Sequence, residues 1–348
     1  MKKLLLLVLT ALASCFSFAC TTFLLNKNGQ LVFGRNYDWI TGAGMINTNQ
    51  RGLFKFAAEA NENKMAWVSL NGSITFNQYG KEFPTGGMNE QGLVVELMWL
   101  EGTQYSPVDE RPAIGVLQWI QYQLDMHSTI EEVILSDKKI RINTTSTPLH
   151  FLVADGKGNA ASIEFLNGQM KVHRGNELPF AVLTNDPYQK SKEAAVSAMN
   201  DKKLSGNNSL DRFVTACSMV NKLSNTDIST PLTDYAFSIL NKVSQGDFTK
   251  WSIVYDISNK QVFFKTSEFN TLKWFSFSSF DFTCITAPQM FNMNQPGQGN
   301  ISTRFTAIDS VTRLAIINKA VVESKAYVAI TDAEKQLLLE FADKIHCN

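Results

Sequence analysis

Two short strand-like runs split by Asn28-Gly29 constrain this chain more than any other feature. Residues 22–25 and 31–36 are runs rich in aromatic, β-branched and other apolar side chains that read as strands, and Asn-Gly between such runs marks a hairpin turn. Residues 65–70 and 93–100 read as further strands. Residues 149–154 and 160–165 flank the turn Asp155-Gly156-Lys157-Gly158, and residues 251–257 and 261–266 flank Ser258-Asn259-Lys260. Helical spacing replaces this pattern after Pro112, at Ile114, Leu117, Ile120 and Leu124, and again over 188–199 and 210–223. Ser128-Thr129-Ile130-Glu131 and Thr331-Asp332-Ala333-Glu334 each read as a capping box that starts a helix. Strands arrive as hairpins and helices in pairs, so the expected class is α+β with antiparallel sheets, not an alternating βαβ fold. No repeat or low-complexity linker interrupts residues 20–348, which are expected to form one domain; 292–300, polar with Pro and Gly, reads as a surface loop.

The N-terminus has the order of an export signal. Lys2-Lys3 precede an apolar run over 4–12 that is too short to span a bilayer, and Ser17-Phe18-Ala19 places small residues where a signal peptidase reads them. Cleavage after Ala19 leaves 348 − 19 = 329 residues and makes Cys20 the first of them. The expected location is then the periplasm. A second reading competes: Leu12-Ala13-Ser14-Cys15 resembles a lipobox, which would lipidate Cys15, tether an outer-membrane lipoprotein and leave Cys20 internal. A retained N-terminal strand or anchor is a third.

Charge narrows the partners. Lys+Arg and Asp+Glu both number 32, so no basic excess points to nucleic acid, and no other apolar run is long enough for a stable membrane span. Of the five cysteines, Cys217 lies in an apolar helical run and reads as a buried thiol; Cys284 and Cys347 are conceivable partners in an oxidising compartment, but connectivity is not readable from sequence. No two cysteines have metal-ligand spacing and the four histidines are scattered, so neither a metal nor a cofactor is expected.

A cysteine at a free N-terminus carries its own base. The α-amine titrates near pH 8 and can take the thiol proton, so one residue supplies nucleophile and base. Behind Cys20 come Gly34-Arg35-Asn36-Tyr37-Asp38-Trp39, Gly87-Met88-Asn89-Glu90-Gln91-Gly92-Leu93, Leu183-Thr184-Asn185-Asp186-Pro187 and Ser209-Leu210-Asp211-Arg212-Phe213. This set, in this order, resembles the choloylglycine hydrolase family of bile salt hydrolases and penicillin V acylases, to about residue 251. The resemblance implies a four-layer αββα sandwich, the N-terminal-nucleophile hydrolase fold. It also implies a cysteine amidase acting on a small-molecule N-acyl amide, in an assembly that is often a tetramer. Position by position it makes Cys20 the nucleophile, Asp38 the holder of its amino group, Arg35 a cation near the sulfur, Asn185 an oxyanion donor and Arg212 the completion of the charge arrangement.

Each of these residues also has a structural reading. Arg35 and Asp38 can form an ordinary strand-end ion pair, Asn185 a turn, and Arg212 a solvated helix charge. Asn89 to Gly92 reads as a turn without chemistry, and His150 and His173 as packed side chains. In one place the chain departs from the family: Trp99 stands where bile salt hydrolases carry Asn and many penicillin V acylases Tyr, and an indole N–H only donates. Trp39 and Trp99 together suggest a flat apolar substrate pocket, or simply core filling. Candidate substrates are penicillin V, conjugated bile salts, N-acyl homoserine lactones and other acyl-amino acids or lipids. A rival from another class is a non-enzymatic surface lipoprotein that binds a hydrophobic ligand between the two indoles.

Overall fold

The hairpin behind Cys20 forms the middle of a sheet. The computed structural model describes residues 20–58, 65–201, 208–224 and 229–347; the expected signal segment and the lipobox cysteine lie outside the described residues. Thr21–Lys27 and Gln30–Asp38 pair antiparallel through a turn in which Asn28 and Gly29 both have positive φ, 53° and 82°. That is the backbone a two-residue type I′ turn requires, and Asn-Gly reaches it with little strain. Val182–Leu183 adds to one side of this hairpin; Thr249–Asp256, Gln261–Thr266, Lys273–Ser276 and Gly299–Asn300 add to the other. The sheet is antiparallel except at its last pair, Lys273 and Trp274 against Gly299 and Asn300, which is parallel.

A second sheet of nine strands lies against the first. Its order runs Gln169–Arg174, Ala160–Leu166, Leu149–Ala154, Val94–Trp99, Pro84–Asn89, Ser73–Asn77, Met45–Asn49, Gln289–Asn292, Thr306–Ala307. The inner faces meet through aromatic edges: Phe76 of the second sheet stands at 90° to Tyr255 of the first, ring centroids 5.9 Å apart, and also touches Phe264. Fully burying one such ring contributes about 1.5–3 kcal/mol, and each edge contact roughly 0.5–1.5 kcal/mol more.

Helices cover both outer faces. α1 (Val116–Met126) packs on the second sheet, followed by α2 (Ile130–Ser136). α3 (Tyr188–Asp201), α4 (Ser209–Ser224) and α5 (Leu232–Lys242) are three consecutive helices, of which α4 and α5 pack on the first sheet. The result is the expected four-layer α+β sandwich. α6 (Ser310–Ser324) and α7 (Asp332–Glu340) follow at the C-terminus.

Several boundaries differ from the sequence reading. The helix expected from Pro112 starts at Val116, because Ala113–Ile114 pairs in parallel with Arg141–Ile142 and Gly115 is still extended. The first capping box is shifted by one residue: Thr129 caps α2 and Glu132 closes the box. The strand expected over 65–70 is only Ala66–Val68, and both ends of the 292–300 loop belong to strands. Cys284 and Cys347, whose pairing the sequence leaves open, are bonded, with Cα atoms 5.5 Å apart, and His346–Cys347 forms a strand against Leu53–Phe56. Cys217 is a buried free thiol, in keeping with its apolar run. Among the described residues no helix is long and apolar enough to cross a membrane.

Candidate active site

The strand Gln30–Asp38 is buried on both faces, and its two-residue period sorts its side chains. Even positions face the helices: Asn36 donates its amide to Leu240 O of α5 at 2.8 Å. Odd positions face the second sheet. There the Arg35 guanidinium ion-pairs with Glu96, both fully buried, and donates to Thr85 O at 3.0 Å and Leu97 O at 3.3 Å. Tyr255 OH donates to the other oxygen of Glu96. Burial opposes the Arg35 charge, and the Glu96 carboxylate, with smaller help from Cys20, Tyr255 and Tyr37, more than restores it. Gly86 makes room for this pair, since a Cβ there would collide with the Glu96 carboxylate. Glu96 is absent from the sequence-derived site, although a lone carboxylate inside Val94-Val95-Glu96-Leu97-Met98-Trp99 is itself a sign of a buried, paired charge.

Asp38 ends that strand beside Cys20. Cys20 Sγ lies 3.8 Å from Asp38 O and donates to it. One carboxylate oxygen of Asp38 accepts from Thr249 Oγ1; the other, Oδ2, is buried and has no hydrogen-bond partner among the described residues. Burial pushes the Asp38 carboxyl up to about 7, against the Thr249 hydroxyl and the charges of Arg212 and Arg35. The Cys20 thiol is pushed up to about 11, also by burial first; Arg35 and Arg212 pull it down, but not enough. At pH 7 a thiol of that acidity is thiolate in only about one molecule in ten thousand. The cation expected near the sulfur is therefore present and acts in the expected direction, yet desolvation outweighs it while Cys20 has a peptide bond on its N-terminal side.

Asn185 follows the short strand Val182–Leu183, which pairs with Thr22 and Phe23. Its backbone N–H donates to Ser209 Oγ at 2.9 Å, tying it to the start of α4. Arg212, also on α4 and only 2 % exposed, donates Nε to Thr21 Oγ1 at 3.3 Å and Nη2 to Asn185 Oδ1 at 3.0 Å. A guanidinium has no acceptor, so it can only face the amide oxygen; this fixes the Asn185 NH₂ group outward as a donor. One of its two N–H groups meets Trp99 O at 2.8 Å. Arg212 is thus buried and engaged, not the solvated charge of the structural reading.

The histidines support this turn from behind. His150 bridges Glu164 Oε1 at 3.2 Å and Thr184 O at 2.7 Å, and His173 stacks near Tyr188 with ring centroids 4.9 Å apart. Asn89 spends its side chain on Leu124 O, His127 O and the N–H groups of Gln91 and Leu93, the structural turn expected there.

A cavity of about 370 Å³ opens at Cys20. Trp39 and Trp99 both line it, with ring centroids 6.1 Å apart and planes inclined by 31°. Their N–H groups donate to other side chains: Trp39 Nε1 to Tyr79 OH at 3.2 Å and Trp99 Nε1 to Glu101 Oε2 at 3.1 Å. Trp99 therefore supplies surface, and its backbone carbonyl positions Asn185. Asn185, which is partly exposed, and the buried Arg35 and Arg212 are not among the residues that line the cavity, but Asn185 is hydrogen-bonded to the backbone of Trp99, which is.

Two stacked, largely antiparallel sheets between helical layers define the fold class of the N-terminal-nucleophile hydrolases. The chain belongs, more narrowly, to the choloylglycine hydrolase family of linear amide C–N hydrolases, whose sequence pattern matches residues 20–289, beginning at Cys20. It is a hydrolase of linear amide C–N bonds. It is 27% identical to a penicillin V acylase of Pectobacterium atrosepticum, over 79% of this chain and 85% of that one. Among solved structures it resembles a penicillin V acylase from Agrobacterium tumefaciens, with TM-score 0.72 and 25% identity over 83% of this chain and 98% of that one. A conjugated bile acid hydrolase from Clostridium perfringens shares the fold at TM-score 0.66 and 18% identity, over 81% of this chain and 98% of the other.

Proposed function

We propose that this chain is an exported, penicillin V acylase-like amidase of the periplasm, switched on when removal of residues 1–19 makes Cys20 its first residue. The observation that carries the reading is the buried Asp38 Oδ2, without a partner among the described residues, in a carboxylate whose own backbone oxygen contacts the Cys20 thiol. A desolvated carboxylate oxygen left unbonded is costly, and an α-ammonium created at Cys20 is the group that satisfies it. Before cleavage the Cys20 nitrogen is an amide with no basicity and the thiol stays protonated. Cleavage supplies base and counter-charge together.

In the cleaved enzyme the α-amine takes the thiol proton as Sγ attacks the substrate carbonyl carbon. Negative charge moves to the carbonyl oxygen, where the second N–H of Asn185 receives it. The intermediate collapses with cleavage of the C–N bond, and the α-ammonium gives its proton to the leaving amine. Water then attacks the thioester carbonyl, losing a proton to the α-amine; the thiolate leaves and is reprotonated, and the carboxylic acid departs. Asp38 holds the amine, Arg212 holds the Asn185 amide in register, and Arg35 adds positive charge behind the sulfur.

Two facing indoles and aliphatic walls favour a flat aryl or alkyl acyl group, such as the phenoxyacetyl of penicillin V, as the part bound in the cavity. The penicillin V acylases among the similar proteins point the same way. The test is mass spectrometry of the secreted protein with a parallel assay of phenoxyacetyl amide hydrolysis by wild type and Cys20→Ala. The expected result is an unmodified N-terminal Cys20 and loss of turnover in the variant. A lipid on Cys15 in the active protein, or full activity in Cys20→Ala, sinks the reading.

A further inference from the structure

The family pattern ends at residue 289, yet the cavity at Cys20 is also lined by residues beyond that point, among them Val328, Ile330, Leu337 and Leu338. We propose that the C-terminal segment, α6 to Cys347, is the acyl-selecting wall of this enzyme, and that Leu337 and Leu338 set the size of acyl group accepted. The proposal rests on the amidase reading and adds to it the part of the chain that selects the acyl group.

Three features of α7 carry the inference. It contains the consecutive leucines 337–339 but no fully buried residue, so its apolar side chains are only half covered by protein. Leu337 and Leu338 both line the cavity that holds Cys20, so an apolar acyl group entering there would cover more of their surface. Second, the helix is seated by its backbone: a Cβ at Gly80 would lie 2.6 Å from Leu338 O, so only glycine lets α7 sit this close. Third, the segment is anchored at several points. Arg313 of α6 grips Asp343 with two bonds of 3.0 Å. Phe341 packs against Phe56 and Phe83 with ring centroids 5.1 and 5.3 Å away, and Cys347 is bonded to Cys284. A wall so fixed can discriminate by shape, whereas a loose one would yield to any occupant.

The same segment reaches the indoles. Tyr79 accepts from Trp39 Nε1 and packs among Ile316, Ile317 and Ala320 of α6. The Tyr327 ring lies 6.1 Å from Trp39. Trp39, Trp99 and the α7 leucines therefore bound one compartment.

The test uses the full oxidised chain and a series of amides of one amine carrying acetyl, hexanoyl, decanoyl and phenoxyacetyl groups. Methylene-scale changes in an apolar pocket shift specificity by about 10–200-fold. Leu337→Ala and Leu338→Ala are expected to raise the decanoyl-to-acetyl ratio of kcat/KM by about 10-fold or more, and Leu338→Trp to lower it by a similar factor. Unchanged ratios in variants with wild-type Tm overturn the proposal. A second measurement needs neither variants nor turnover: wild type is irradiated with decanoic acid bearing a terminal diazirine, and the labelled peptide is mapped. Label on Asp332–Glu340 supports the wall; its absence there overturns it. Label on that helix in a chain that hydrolyses none of the amides leaves the wall standing and sinks the amidase reading instead.

Discussion

Replacing Asp38 by Asn should stabilise the uncleaved chain at alkaline pH while abolishing the activity of the cleaved one. In the uncleaved structure Asp38 is held at about 7 by burial, against an ordinary value of 3.8. The fold therefore binds the Asp38 proton more tightly than the unfolded chain does. The stability this gives is fully present below about pH 4 and is lost as pH rises through about 7. The gap from 3.8 to about 7 corresponds to about 4 kcal/mol at 1.36 kcal/mol per pH unit, and relaxation around the ion lowers this to about 2–4 kcal/mol. An asparagine keeps the Thr249 contact and has no proton to lose. Urea unfolding of the chain with residues 1–19 retained, at pH 4.5 and pH 8, reads the difference. Since part of the effect is already gone at pH 4.5, wild type should lose about 1.5–3 kcal/mol relative to Asp38→Asn between the two. In the mature protein the sign should reverse, because an α-ammonium beside Oδ2 lowers the carboxyl and rewards its charge. Parallel pH profiles of wild type and variant in both forms would refute the idea that Asp38 is a buried carboxylate waiting for an ammonium.

Other substitutions test the surrounding structure. Asn185→Leu removes the donor that Arg212 orients and should lower kcat by about 10²–10³, measured on a phenoxyacetyl amide with protein shown to be folded. Glu96→Ala strands the Arg35 charge between the sheets and should cost roughly 3–5 kcal/mol in urea unfolding; a cost below about 1 kcal/mol contradicts the pairing. Cys347→Ser opens a bridge between residues 63 apart in sequence and should cost about 2–4 kcal/mol. Reductant should reproduce that loss in wild type and add nothing to the variant.

The parts of the site set by local pattern are legible in the sequence. The two strand-like runs and Asn28-Gly29 place Cys20, Arg35 and Asp38 around one hairpin because a two-residue turn fixes the register of its flanking strands. The capping box at α2 is ambiguous by one residue because Ser128 and Thr129 are both good caps and Glu131 and Glu132 both fit the third position. Ala113–Ile114 is too short for any period to reveal. The role of Glu96 is hidden because its partner lies 61 residues away on the other sheet. The C-terminal wall is hidden for the same reason in stronger form. Its seat consists of Gly80, Phe56, Phe83 and Tyr79, and nothing in the spacing of residues 310–347 names them. Trp39 and Trp99 stand out in the sequence, but the use of their N–H groups does not, since it depends on Tyr79 and Glu101.

The most direct measurement compares two purified chains that differ by one residue: one beginning at Cys20, the other carrying a single alanine before it. Both retain the thiol, Asp38, Arg35 and Asn185, but only the first has an amine on the residue that bears the sulfur. The extended chain is predicted to hydrolyse a phenoxyacetyl amide about 10²–10⁴ times more slowly, the loss of a positioned base. Equal rates from the two chains would contradict that role for the Cys20 amine.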